Sequence, residues 1–194
     1  MSMSDFPLLA ITDATSCSCP LAEQIEHIAM LSKLKPDALI LRAKTLSKAD
    51  YRTLSIIAQK ICTTHQLPLI LHSDWQLAQE LKITKLHLPL PLLRQLPKEK
   101  RTYFTWLSTS VHSVSETQEA KKLGASVLIA GHIYATQCKA DLAPRGLDFL
   151  RAVTSATNLP VYAIGGIGFD VLQHAELKAN GARGACVMSA YMRL

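Results

Sequence analysis

The sequence predicts a small (β/α)8 (TIM) barrel with a truncated or missing eighth helix, forming one domain over residues 1–194. Three observations carry that expectation. Eight short runs are continuously apolar, as strands buried on both faces of a parallel sheet must be. Helical patterns stand between them in regular alternation. Just past the runs come Asp13, Arg42 and Lys44, His72, Ser110 and His112, His132, Gly165 and Gly166, and Ser189. A barrel gathers these segments on one face, where barrel chemistry sits, whereas an open doubly wound sheet offers a single crevice.

The elements follow in order. Leu8–Thr12 reads as a strand, and Leu21–Leu34 as a helix stopped by Pro36. Ala38–Leu41 is the second strand. Ser47–His65 follows as a long amphipathic helix, with Ser47 as N-cap and Asp50 in its first turn. Leu69–Leu71 is a strand, Asp74–Leu81 a short helix and Lys85–Leu88 a strand. Leu90–Leu96 is a poor helix between prolines, and Tyr103–Leu107 the fifth strand. A helix opening at Ser115 ends at Gly124, which serves as its C-terminal cap. Val127–Ala130 enters Gly131-His132, and a long loop, Ala135–Gly146, leads to the helix Leu147–Ala156. Val161–Ile164, a helix over Asp170–Ala179 and the strand Ala185–Met188 complete the pattern. Only Ala190–Leu194 remains, so the wall an eighth helix normally covers must be closed by a partner subunit or a preceding helix.

Composition narrows the function classes. At 48% hydrophobic and 19% charged, the chain can bury a sizeable core, and 8 Gly and 9 Pro exclude collagen-like and disordered classes. The longest apolar stretches, such as Leu86–Leu93, fall short of the ~20 residues of a membrane span. Met1–Asp5 is polar and no basic-then-apolar leader opens the chain, so a cytoplasmic location is expected. The formal charge of +6 admits nucleic acid, a membrane surface or anionic metabolites. Yet the largest basic cluster, Lys98-Glu99-Lys100-Arg101, is short, interrupted and without interleaved aromatics, which argues for solvated surface rather than a nucleic-acid site. Five cysteines, with Cys17-Ser18-Cys19 spaced as C-x-C, give neither a disulfide framework nor a zinc set.

The strand ends carry the candidate chemistry. Arg42 and Lys44 suit an anion, the one by its planar fork and the other as a point charge; the alternative is an ion pair with a neighbouring loop. Gly165-Gly166 and Ser189 end strands seven and eight, where barrels frequently build a phosphate site. A tight turn is the plainer explanation of the glycines. His132, followed by Thr136 and Lys139, is placed to move protons, or else to brace the rim. His87 reads as structural, His72 and His112 stay open, and Cys138 has no identifiable base.

Taken in order, Ser110-Val111-His112-Ser113, the run from Gly131 through Lys139, Arg145-Gly146, the run from Pro160 to Gly166 and Val187-Met188-Ser189 carry a family likeness. They resemble the thiamine phosphate synthase superfamily, above all its thiazole tautomerase (TenI-like) branch. The resemblance implies a small, usually dimeric barrel, here a homodimer, that takes a phosphorylated thiazole or thiamine-related ligand and neither nucleic acid nor membrane. It implies that the segment Leu41–Lys44 meets a pyrimidine diphosphate in synthases. It also implies that an Asn-Asp pair after strand three, and a second Asp after strand four, serve Mg2+ there. Here His72 and Ser73 stand at the first place, and no acid stands near Leu88–Leu93. Because Mg2+ neutralises a leaving pyrophosphate, these departures argue against synthase activity. His132 lines up with the histidine characteristic of the tautomerase branch after strand six, so the resemblance implies a metal-independent tautomerase, with no cofactor and with His132 as acid and base. On that reading Gly165, Gly166, Ser189 and Thr136 hold the phosphate, and Arg42, Lys44 or Lys139 meets a carboxylate. Ser110 and His72 complete the candidate ligand-binding set. The alternatives are a Mg2+-dependent thiamine phosphate synthase and a non-catalytic binder of a thiamine-related phosphate.

Overall fold

The structure, a computed structural model, describes residues 6–137 and 141–194. Two residues singled out above, Cys138 and Lys139, lie outside the described residues. Eight parallel strands close into a barrel in sequence order: β1 (Leu8–Ile11), β2 (Ala38–Leu41), β3 (Leu69–His72), β4 (Lys85–Pro89), β5 (Trp106–Val111), β6 (Val127–Gly131), β7 (Val161–Ile164) and β8 (Gly184–Val187). The β1–β8 pairing through Leu9 and Cys186 completes the ring. Side chains alternate inward and outward along each strand. The inward set packs Leu9, Ile11, Ile40, Ile70, Ile129 and Tyr162 into the lumen. The outward set, including Leu39, Leu71, Leu88 and Leu128, meets the surrounding helices.

β5 is the element the sequence misplaces. The apolar run Tyr103–Leu107 gives only its start, and the strand continues through Ser108, Thr109 and Ser110. These small polar residues are tolerated because Ser108 and Ser110 hydrogen-bond a histidine inside the barrel, described below.

The helices hold to the expected order, with local adjustments. α1 (Leu21–Met30) ends before Leu34, which adopts φ 60°, outside the helical range. α2 (Lys48–Thr64) is capped by Ser47, whose hydroxyl accepts the Asp50 N–H. α3 (Trp75–Glu80) is capped by Asp74, and α4 (Leu90–Gln95) starts with Pro91 in its first turn. One further turn, α5 (Lys98–Arg101), absorbs the basic cluster. α6 (Val114–Lys122) is capped by Ser113, followed by α7 (Gly146–Ser155) and by α8 (Val171–Ala179), capped by Asp170. None of these helices is long and apolar enough to cross a membrane.

The eighth βα unit ends in a single turn, α9 (Ser189–Met192). It closes its wall from within the described residues. Tyr191 is fully buried, stacks edge-on against Phe169 and donates its hydroxyl to the Leu34 carbonyl at 2.8 Å. Gln24 of α1 donates to the Tyr191 carbonyl at 2.7 Å. Two large side chains, Tyr191 and Met192, thus fill the space a longer helix would occupy.

Candidate active site

The C-terminal ends of the strands bring most of the predicted residues to one face, but they divide into two groups. The first surrounds β2, β3 and β4. Arg42 follows β2, and its guanidinium meets Asp13, which follows β1, at 2.7 Å. Thr12 ties the same two strand ends together, its hydroxyl donating to the Arg42 carbonyl and accepting the Arg42 N–H, both at 2.8 Å. Desolvation would raise the Asp13 carboxyl, but hydrogen bonds from Thr15, Ser16 and Arg42, with the Arg42 charge, hold it below the usual range. Arg42 is therefore engaged in the loop ion pair that the sequence left as its alternative role.

Lys44 and His72 line a cleft of about 550 Å3, together with Lys48, Tyr51, Trp75 and Leu92. Tyr51 anchors its floor by accepting the His72 N–H at 3.1 Å and donating to the Leu41 carbonyl at 2.9 Å. Its buried phenol is pushed up to about 12, so it stays protonated and keeps both contacts. The His72 Nδ1 lies 2.6 Å from the Ser73 hydroxyl. Burial, then the charges of Arg42 and Lys44, lower the His72 imidazole to about 4, so the cleft wall is neutral at this point.

Beneath His72 the lumen holds a second imidazole. His87 is buried, with Nδ1 3.0 Å from the Ser108 hydroxyl and Nε2 3.2 Å from that of Ser110. A neutral imidazole presents one donor and one acceptor, and two hydroxyls satisfy both. Burial lowers this group to about 3. His87 is thus held within the barrel wall by the two serines, and Ser110 is not among the residues lining the cleft. Sequence reading missed the cleft's apolar and aromatic wall, because Tyr51, Trp75 and Leu92 lie on helices rather than at strand ends.

The second group surrounds β6 and β7. His132 is buried, and its Nε2–H donates to the Leu142 carbonyl at 3.2 Å, which ties the strand end to the following loop. The same loop is fixed by the Arg145 N–H on the His132 carbonyl. Gly165 and Gly166 adopt φ 102° and 68°. A Cβ on Gly165 would lie 2.2 Å from the Cβ of His132, and one on Gly166 2.5 Å from the Ala135 carbonyl oxygen. These glycines are required by close packing against the β6 loop, whatever else they bind. His112 also braces this rim, donating from Nδ1 to the Gly131 carbonyl at 2.6 Å. Thr136 follows in the β6 loop, half-buried, and Ser189 opens α9.

Mg2+ needs hard oxygen donors, and the described carboxylates at this face are already engaged within the protein. Asp13 is held by Arg42, Thr15 and Ser16. Asp74 caps α3 through the Leu77 N–H. Glu116 accepts the His112 N–H. The segment after β4 runs Leu90-Pro91-Leu92-Leu93, with no acid. Among the described residues no group of three His, Cys, Asp or Glu side chains is arranged to hold a metal ion. Of the described carboxylates at this face Asp74 alone lines the cleft, and it already caps α3, a poor donor set for Mg2+, which is commonly held by one or two carboxylates beside substrate phosphates.

The family described as thiamine monophosphate synthase matches residues 8–191, nearly the whole barrel. The chain belongs to that family. Curated relatives carry the same name. The thiamine-phosphate synthase of Syntrophomonas wolfei is 28% identical over 198 residues, covering 99% of this chain and 91% of the relative. That of Herpetosiphon aurantiacus is 36% identical over 157 residues, covering 79% and 74%. Among solved structures, thiamine phosphate pyrophosphorylase from Pyrococcus furiosus superposes with a TM-score of 0.77 at 22% identity, covering 97% of this chain and 88% of that one, which shows the shared fold.

These matches overturn the expectation of a thiazole tautomerase, since the family and its relatives bear the synthase name. His132, the residue that expectation gave the proton transfer, stands just past β6 with its Nε2–H on the Leu142 carbonyl, whereas the cleft at β2–β4 is lined by His72.

Proposed function

We propose that this member of the thiamine monophosphate synthase family is a transferase that joins a pyrimidine diphosphate to a thiazole phosphate with release of pyrophosphate. The observation that carries the reading is the cleft at β2–β4, where Lys44 and neutral His72 stand beside the apolar faces of Tyr51, Trp75 and Leu92. Such a wall suits a flat heteroaromatic ring with an anionic tail. The turn at Gly165-Gly166, with Thr136 and Ser189, stands around β6–β8, across the barrel mouth from that cleft, and is assigned the phosphate of the second substrate. His132 acts here as a positioning residue that keeps the β6 loop against this turn. The reaction is expected in the cytoplasm. No step is assigned to Mg2+, whose donors the site does not supply.

The test is incubation of the full chain with the pyrimidine diphosphate and the thiazole phosphate, in EDTA and separately with excess MgCl2, reading thiamine monophosphate by chromatography. Product in either condition supports the reading, and its absence from both overturns it. A second reading, a non-catalytic binder of thiamine-related phosphates, is favoured by the missing carboxylate set. It requires that thiamine monophosphate bind while both reactions yield nothing.

A further inference from the structure

The cleft offers cations where the family name leads one to look for a metal. Lys44 lies in the loop after β2 and Lys48 opens α2, and both exposed side chains line the same cleft as His72 and Ser73. Two ammonium groups carry the charge of one divalent ion. Arg42 is set apart from them, since it is not among the residues lining the cleft and its Nη1 meets Asp13. The neutral His72 neither repels an anion nor ligates a hard cation well. Among the described residues lining the cleft the one carboxylate, Asp74, is engaged in capping α3.

We infer that this chain holds the diphosphate group of its ligand in the β2–β4 cleft without a divalent cation, the ammonium groups of Lys44 and Lys48 standing in for it. The inference rests on the reading that a diphosphate ester is a substrate, and it deepens that reading by naming the counter-charge. Lysine suits this role, because a compact ammonium at the end of a flexible stem can follow charge that shifts as pyrophosphate leaves. The same device makes binding sensitive to ionic strength, since both groups are exposed and screened.

The experiment is calorimetric titration of the full chain with sodium pyrophosphate as probe, in EDTA and with excess MgCl2. Binding is expected in EDTA, and equal or weaker with Mg2+, which sequesters pyrophosphate in solution. Lys44→Met and Lys48→Met are each expected to weaken binding ~5- to 10-fold, and the double variant ~50-fold. Lys44→Arg should retain most of it. Both sites are exposed, so unchanged melting temperatures will confirm that the variants fold. Pyrophosphate binding that appears only with Mg2+, that ignores both lysines, or that fails in both conditions overturns the inference. Failure of the functional reading looks different: pyrophosphate binds in EDTA, yet no thiamine monophosphate forms. Product that forms only with Mg2+ upholds that reading and removes this inference.

Discussion

The imidazole rings of His72 and His87 lie 5.3 Å apart, centroid to centroid, at paired positions of β3 and β4. Burial is the first cause of both lowered proton affinities; Arg42 and Lys44 add to it at His72, and His72 itself adds to it at His87. The folded protein therefore keeps both rings neutral down to about pH 4 for His72 and about pH 3 for His87. In the unfolded chain they titrate near ~6.5. Between those values the unfolded state binds protons that the folded state refuses. The stability these groups contribute is complete above pH ~6.5 and is lost as the pH falls towards 4, by up to ~1.4 kcal/mol per pH unit for each ring. Urea titrations between neutral pH and about pH 4.5 should show this decline, and His72→Asn should make it shallower. An unchanged slope in that variant would remove His72 from the account.

The hydroxyls around His87 should be worth more than their size suggests. Ser108→Val leaves Nδ1 of a fully buried ring without its partner, at a cost of about 1–3 kcal/mol. Ser110→Ala opens the Nε2 contact nearer the cleft, where water can enter, and is expected to cost less. Thermal melts of the two variants at neutral pH decide the order.

The same serines show where sequence reading stops. Alternating apolar runs and helices were enough for the barrel, since periodicity reports burial directly, and Ser47, Asp74 and Asp170 mark helix starts by local chemistry alone. The polar half of β5 gives no such signal, because Ser108 and Ser110 are accounted for by a histidine 21 and 23 positions away in sequence. Arg42, Lys44 and His72 were legible as candidates because strand ends converge in a barrel. Their division of labour was not: whether a cation faces a ligand or a carboxylate is a matter of which loops touch. The contact His132 makes was not legible for the same reason, as its partner, the Leu142 carbonyl, is a backbone group that any sequence supplies.

Gly165 tests the packing of the β6 and β7 ends. Alanine there must place a Cβ 2.2 Å from that of His132 on a backbone held at φ 102°. Both demands fall on backbone and Cβ atoms, which cannot rotate away. Gly165→Ala is expected to lose several kcal/mol or to fail to fold, well beyond the ~1 kcal/mol typical of a point substitution. Gly168→Ala, where a Cβ meets nothing within 4 Å, is the matched control and should melt close to the parent.

The truncated eighth unit gives the last expectation. Tyr191 contributes two separable things: a ring packed edge-on at 4.9 Å from that of Phe169, and a hydroxyl on the Leu34 carbonyl. Leu34 is exposed, so water can replace the hydroxyl, and Tyr191→Phe should cost at most ~1 kcal/mol. Tyr191→Ala removes a fully buried ring from a wall that has only one helical turn to fill it, and should cost about 3–5 kcal/mol. If α9 substitutes for a longer helix, the alanine variant will also expose the barrel wall, and dye binding to apolar surface should rise before global unfolding. Equal melting temperatures for the two variants would show that the wall is closed by something other than this ring.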